Sequence, residues 1–366
     1  MDTLLLLPKL GFVGAKTLGA LLTSSFRGED DAPTVTEHVM LTALRTMFTN
    51  LTYGQLQTIM PPFVNTYARW CKAKCLTSEI VNIPNTSIKG FWLGDKDKAT
   101  HVMVYFHGGG FVMPGVPQHL DMLNSMIEWS NGKLAVFCNA YTLAPTAAYP
   151  TQIGESVEAL RYVLSQPGRL ASNCLIGGDS AGGNLVLAIL SHVSGHTHPN
   201  ASIVKPLKLD GKLHGALAIS PWTSSESSSR LPSSTKFFHR DCVNSTCAQY
   251  WINLYKGGLA NPSGNGVDDN EFIVPEQAKP EWWKDVQVES LLTTVGEQEV
   301  LRDAILSWAE KFSQGTGDVL TLVKGKREPH DGPLTPTPDA ALNAAGAEES
   351  CSNAAIRTWA FFECHD

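Results

Sequence analysis

The sequence lacks any apolar stretch long enough to span a bilayer. Its most apolar segment, MDTLLLLPKLGFVGAKTLGALLTSS, is interrupted by Pro8, Lys9 and Lys16, well short of the roughly 20 unbroken apolar residues that a spanning helix needs. The segment also lacks the basic opening and small-residue cleavage site of a secretory leader, since Asp2 is its only early charge. An intracellular protein is the expectation. Sequons at Asn50, Asn85, Asn200 and Asn244 would matter only in a secreted chain. Extended basic runs are absent too. With 28 Lys and Arg against 35 Asp and Glu, a formal net charge of -7, the chain offers nucleic acid no electrostatic footprint. There is no CxxC pair, and eight cysteines at irregular spacings resemble neither a zinc site nor a dense disulfide framework. Cys71 and Cys75 stand four apart and could share a helix face, which leaves one disulfide open. His192, His196 and His198 gather near the end of an expected helix without a carboxylate at ligand spacing, so they read as solvated surface residues and no metal is expected.

What the chain does have is apolar bulk: 366 residues, 43% of them hydrophobic, enough for one large core with or without a cap. Residues 1–75 read as helical, with apolar spacing through Val39, Leu41, Leu44 and Met47 and a break at Pro61 and Pro62. The first helix would set Leu10, Val13, Leu18 and Leu21 near one face and could touch a membrane surface. From about Val81 the texture changes to short apolar runs alternating with helical stretches. Strands are expected at 101–106, 134–140, 172–178 and 214–220, then in LLTTVGE and VLTLVKG. Their near-continuous apolar character fits strands covered on both faces. Helices at 153–166 and 181–193 complete an α/β pattern with a mostly parallel sheet flanked by helices. Between about 221 and 284 the alternation breaks. That stretch reads as an insertion which, with residues 1–75, would form a helical cap on a catalytic domain of 76–366. Its aromatics Trp251, Tyr255, Trp282 and Trp283 are candidates to line an apolar pocket. Residues 331–350, rich in Pro, Ala and Gly, read as a surface loop, and AAIRTWAFF as a closing helix. Oligomeric state, including a homodimer, stays open.

Chemistry concentrates in Gly178-Asp179-Ser180-Ala181-Gly182-Gly183, directly after an expected strand and opening an expected helix. A nucleophilic serine at such a turn needs strained dihedrals, with small residues two before and two after it so that backbone segments can pass closely. The helix N-terminus behind Ser180 supplies N–H groups and a positive dipole end where an oxyanion would form, Ala181 N–H among them. His107-Gly108-Gly109-Gly110-Phe111 follows the strand at 101–106. Its glycines let backbone amides approach a substrate oxygen. Gly109 and Gly110 are the expected further donors and Gly108 is possible, while His107 reads as a structural residue that holds the loop.

Taken together, HGGGF, YTLAP with Pro150, and GDSAGGN resemble the hormone-sensitive-lipase-like family of α/β-hydrolases over about 100–335. The resemblance implies the α/β-hydrolase fold, a helical cap, no cofactor, and a nucleophile, acid and histidine in that chain order. The nucleophile position falls on Ser180. The family's acid begins an Asp-Pro-Leu-Arg-Asp-like segment, which Glu299-Val300-Leu301-Arg302-Asp303 matches with a longer carboxylate. Glu299 therefore takes the acid position, with Asp303 the alternative and Glu297 nearer the strand. His330, after the last expected strand, takes the position of the general base. By resemblance the activity is serine carboxylester hydrolysis of short- to medium-chain or bulky small-molecule esters, natural-product deacetylation among them, through an acyl-serine. The same groups could instead serve transesterification or lactonisation. A non-catalytic ligand-binding role, as in relatives that lack the histidine, fits less well because His330 is present.

Overall fold

In a computed structural model the apolar runs pair into one eight-stranded sheet, ordered β1-β2-β4-β3-β5-β6-β7-β8. The strands are β1 (Glu79–Asn82), β2 (Lys89–Leu93), β3 (His101–Phe106), β4 (Leu134–Asn139), β5 (Cys174–Asp179), β6 (Gly215–Ile219), β7 (Leu291–Gly296) and β8 (Leu320–Gly325). The structure describes residues 2–28, 31–225, 231–260, 266–334 and 351–364. From β4 to β8 every pairing is parallel, while β1 and β2 pair antiparallel at one edge. The six expected strands fall within two residues of the observed ones. The hairpin β1–β2 was foreseen only as a change of texture, because an edge strand exposed along most of its length carries little apolar pattern.

Eleven α-helices surround the sheet among the described residues: α1 (Leu6–Leu22), α2 (Val35–Asn50), α3 (Tyr53–Ile59), α4 (Phe63–Ala73), α5 (Pro117–Trp129), α6 (Thr151–Leu164), α7 (Ala181–Val193), α8 (Pro232–Lys236), α9 (Ser245–Tyr255), α10 (Arg302–Thr316) and α11 (Cys351–Phe362). Two apolar clusters lie on its two faces. One joins α4, α5 and α11, through residues such as Tyr67, Leu123 and Ile356. The other joins α6, α7, α9 and α10, through Leu160, Leu187, Trp251 and Trp308. Helix α7 is buried from Ala181 to His192, which its apolar all-round sequence requires. The α/β fold with a mostly parallel, helix-flanked sheet is as the sequence indicates.

Several expectations change. In α1 the inward side is Leu6 and Leu10, packed on the core, whereas Leu18 and Leu21 are half exposed. Placing the latter inward rested on a periodicity that is apolar around most of the helix. The histidines of 192–198 are not a solvated cluster either. His192 and His198 are buried, with His198 N–H donating to His192 Nδ1 and the Tyr149 hydroxyl against His198 Nε2 at 2.7 Å. His196 stacks on Trp282. Cys71 and Cys75 are both free thiols. The expected loop at 331–350 lies outside the described residues beyond Leu334. No helix among the described residues is long and apolar enough to cross a membrane.

Candidate active site

The site forms where the carboxyl ends of β3, β5, β7 and β8 converge, the position that an open parallel sheet offers a ligand. Ser180 follows β5 and caps α7 with φ 50° and ψ -114°, a conformation that costs an L-residue of order 1–3 kcal/mol. Neighbouring backbone holds it there: Ser180 N–H donates to Ile219 O at 2.8 Å, and Trp222 N–H and Asn184 N–H donate to Ser180 O. Gly182 is obligatory for space, since a Cβ would collide with the Phe106 carbonyl oxygen at the end of β3. The strain is thus fixed by packing between two strand ends.

The loop after β3 carries the glycines. Gly108 N–H donates to Asp179 Oδ1 at 2.9 Å, so this amide is committed to the scaffold and does not serve as the further oxyanion donor. Gly109 and Gly110 have φ 111° and 61° and border the same cavity as Ser180. His107 is buried. Its ring stacks on Tyr141, whose hydroxyl donates to His107 O at 2.9 Å. Burial pulls its pKa down to about 4, which fits a neutral ring in the scaffold.

His330, on the loop after β8, places Nε2 2.8 Å from Ser180 Oγ. Its Nδ1 lies 3.9 Å from Glu299 Oε1, within ion-pair range but longer than a hydrogen bond. Glu299 is fully buried, and its Oε2 accepts from Ser220 Oγ at 2.6 Å and Gly296 N–H at 3.0 Å. Burial pushes the Glu299 carboxyl up, opposed by His330. Burial pulls His330 down, and the carboxyl groups of Asp331, Glu299 and Asp241, where ionised, push it up. Asp303 is not brought to this place. Its carboxylate accepts from Ser233 N–H and the Arg302 guanidinium. Glu297 is exposed, beside Arg327 N–H at 3.4 Å.

Sequence reasoning missed three carboxylate-centred features. Asp179 accepts from Tyr105 OH, Gly108 N–H and His119 Nε2, a tripod under the glycine loop. Asp241, between β6 and β7, accepts from the N–H groups of Cys242, Val300 and His330. Asp331 sets Oδ2 3.3 Å from His330 Nε2. Asp179 and Asp331 adjoin residues already singled out, which is a usable signal. Nothing local marks Asp241 or His119.

A cavity of about 390 Å³ opens from Ser180 and His330, walled by Met40, Leu44, Met47 and Phe48 of α2, with Met60, Met113 and Trp251. A second niche of about 10 Å³ adjoins Ser180 against Trp222, Val243, Ala248 and Leu301. Of Trp251, Tyr255, Trp282 and Trp283 only Trp251 borders these spaces. Tyr255 stacks on Phe111, Trp282 on His196, and Trp283 packs on Trp308 and Phe312. Among the described residues no His, Cys, Asp and Glu cluster could hold a metal ion.

Comparison with known proteins agrees with this architecture. A model of the alpha/beta hydrolase fold matches residues 103–333. Steryl acetyl hydrolase 1 of Saccharomyces cerevisiae is 27% identical over 224 residues, 59% of this chain and 49% of that protein. Arylacetamide deacetylase-like 2 of Homo sapiens is 30% identical over 161 residues, 42% of this chain and 37% of that one. The chain therefore spans about half, or less, of the curated relatives it matches. A hormone-sensitive lipase from a metagenome library superposes with TM-score 0.62 at 20% identity, covering 90% of this chain and 98% of its own, a likeness of fold.

Proposed function

We propose a function for this chain from its family: the chain belongs to the alpha/beta hydrolase fold family, and within it acts as a serine carboxylesterase. The observation that carries this reading is Ser180 Oγ within 2.8 Å of His330 Nε2, at a strained strand-to-helix turn facing a glycine loop. Ser180 attacks the ester carbonyl, His330 takes its proton and returns it to the leaving alcohol, and Glu299 orients and compensates the imidazolium. The N–H groups of Gly109, Gly110 and Ala181 hold the oxyanion. Water then releases the acid from Ser180.

Cavity sizes support a small acyl group and a bulky apolar alcohol. The niche beside Ser180 has room for about one water-sized group, which suits the methyl of an acetyl ester. The methionine-rich cavity on the Asp331 side of His330 suits a large, variable alcohol, because unbranched thioethers adapt to irregular shapes. Such substrates are consistent with the acetyl hydrolase and deacetylase names among the relatives. The exposed outer face of α1, where Leu7, Leu18 and Leu22 recur at helical spacing beside Lys16, is read as a contact with a membrane surface.

The test is a p-nitrophenyl ester series from acetate to decanoate with the wild type, Ser180→Ala and His330→Ala. Acetate should be preferred, and both variants should lose at least about 1,000-fold in kcat. Equal rates in variants and wild type would refute the assignment.

A further inference from the structure

Three carboxyl groups, Asp331, Glu299 and Asp241, bear on the single imidazole of His330, a fourth, Asp179, acts on Asp331, and the four are not equally served by donors. Asp179 takes three donors, Tyr105 OH, Gly108 N–H and His119 Nε2. Asp241 takes three backbone N–H groups. Glu299 takes Ser220 OH and Gly296 N–H on one oxygen. Asp331 has only the His330 ring nitrogen, at 3.3 Å from Oδ2, and its Oδ1 is buried without a hydrogen-bond partner. Its own N–H donates to Ser220 Oγ at 3.2 Å and its φ is 53°. It borders the large cavity, as do Ser180 and His330.

We propose that Asp331 is a further catalytic residue, a neutral carboxylic acid that donates a hydrogen bond to the alcohol oxygen of the bound ester while His330 carries the Ser180 proton. The proposal rests on the esterase reading above. Three buried carboxylates around one imidazole, with Asp179 acting on Asp331 besides, are electrostatically costly as anions, and the one with fewest donors is the one that keeps a proton. Burial pushes the Asp331 carboxyl up, His330 opposes this, and Asp179, Glu299 and Asp241 push it further. The other titratable groups that feel its charge are Tyr105 on β3 and the Cys242 thiol. Neutralising Asp331 also removes the largest influence raising His330, which leaves the imidazole free to accept.

In acylation the Ser180 O–H bond breaks as Nε2–H forms, and the Oγ–carbon bond forms as the carbonyl pair moves onto the oxyanion. On collapse the carbon–alcohol bond breaks, its electron pair goes to the alcohol oxygen, and the Nε2 proton follows. Asp331 keeps its proton throughout. Its hydrogen bond spreads the charge developing on the leaving oxygen.

Such help matters for a basic alkoxide and little for p-nitrophenolate, a stable anion. The experiment measures kcat/KM on cyclohexyl acetate and p-nitrophenyl acetate from pH 5 to 10, using the full chain as wild type, Asp331→Asn and Asp331→Gly. Asparagine retains a donor and glycine tolerates the positive φ. Melting temperatures check that both variants fold. Asp331→Gly should lose at least about 100-fold on the cyclohexyl ester and only a few-fold on the p-nitrophenyl ester, whereas Asp331→Asn keeps most activity on both. Wild-type turnover of the cyclohexyl ester should fall on the alkaline side, as Asp331 ionises, and that limb should vanish in Asp331→Asn. Equal losses on both esters, or Asp331→Asn as poor as Asp331→Gly, overturn the proposal. A wild type that cleaves neither ester overturns the esterase reading, and the proposal with it.

Discussion

Asp179 couples three elements to the turn that bears Ser180. Its tripod of Tyr105 from β3, His119 from α5 and Gly108 from the glycine loop makes it a positioning residue, one step behind the amides expected to meet the oxyanion. Asp179→Ala should lower kcat about 100-fold, on the scale of losing one oxyanion donor, with KM changed less. A steady-state comparison on a short ester checks this. Burial raises the Asp179 carboxyl, but His119 and Tyr105 outweigh it and its pKa lies below the ordinary value. A depressed folded pKa gives stability that is present above the unfolded pKa and is lost as pH falls through the folded one. Melting curves of Asp179→Asn between pH 3 and 6 should lack that acid limb. The serine turn and glycine loop were legible because consecutive residues state their backbone needs. The choice among Glu297, Glu299 and Asp303 required family resemblance, since three carboxylates within seven positions differ only in where the chain turns. The tripod's partners come from elements 60 and 74 residues away, beyond any local pattern.

Among the elements, doubly covered strands and the buried α7 were readable because burial on all sides forces apolar runs. Helix α1 was harder, since a helix apolar around most of its circumference does not declare which side packs. Leu6 and Leu10 face the core, leaving Leu7 at 78% and Leu22 at 72% exposure. Helix α1 packs on α2, whose inner side walls the large cavity. A lipid-docked α1 would thus rest beside the site's apolar entrance. Burying one leucine contributes about 1.5–3 kcal/mol. The full chain should float with phosphatidylcholine vesicles, and Leu7→Glu with Leu22→Glu should reduce the bound fraction at least tenfold while p-nitrophenyl acetate hydrolysis in solution is unchanged. Equal flotation of both proteins would remove α1 as the contact.

Across the whole molecule, helix α2, the stretch between β6 and β7 and the loops after β7 and β8 meet at Arg240. Its guanidinium donates to Glu37 of α2 at 2.7 Å, to Gln298 beside Glu299 at 2.8 Å, and to the Arg327 carbonyl on the His330 loop at 2.9 Å. Next to it Asp241 holds His330 N–H and Val300 N–H, and Arg45 of α2 donates to the Asp241 carbonyl. These contacts join residues up to 203 positions apart, beyond the reach of composition and periodicity. The Arg240–Glu37 pair is nearly dry, with side chains 5% and 12% exposed. Removing one partner of such a pair leaves a buried charge and costs about 3–5 kcal/mol, whereas replacing both by apolar groups of similar size is close to neutral. Arg240→Met should therefore destabilise strongly in urea unfolding and slow ester turnover, because the Glu299 and His330 loops lose a shared anchor. Adding Glu37→Leu should restore most of the stability but not the rate, since Gln298 and Arg327 stay untied. If the double variant recovered both, Arg240 would be holding only the pair, and not the loops.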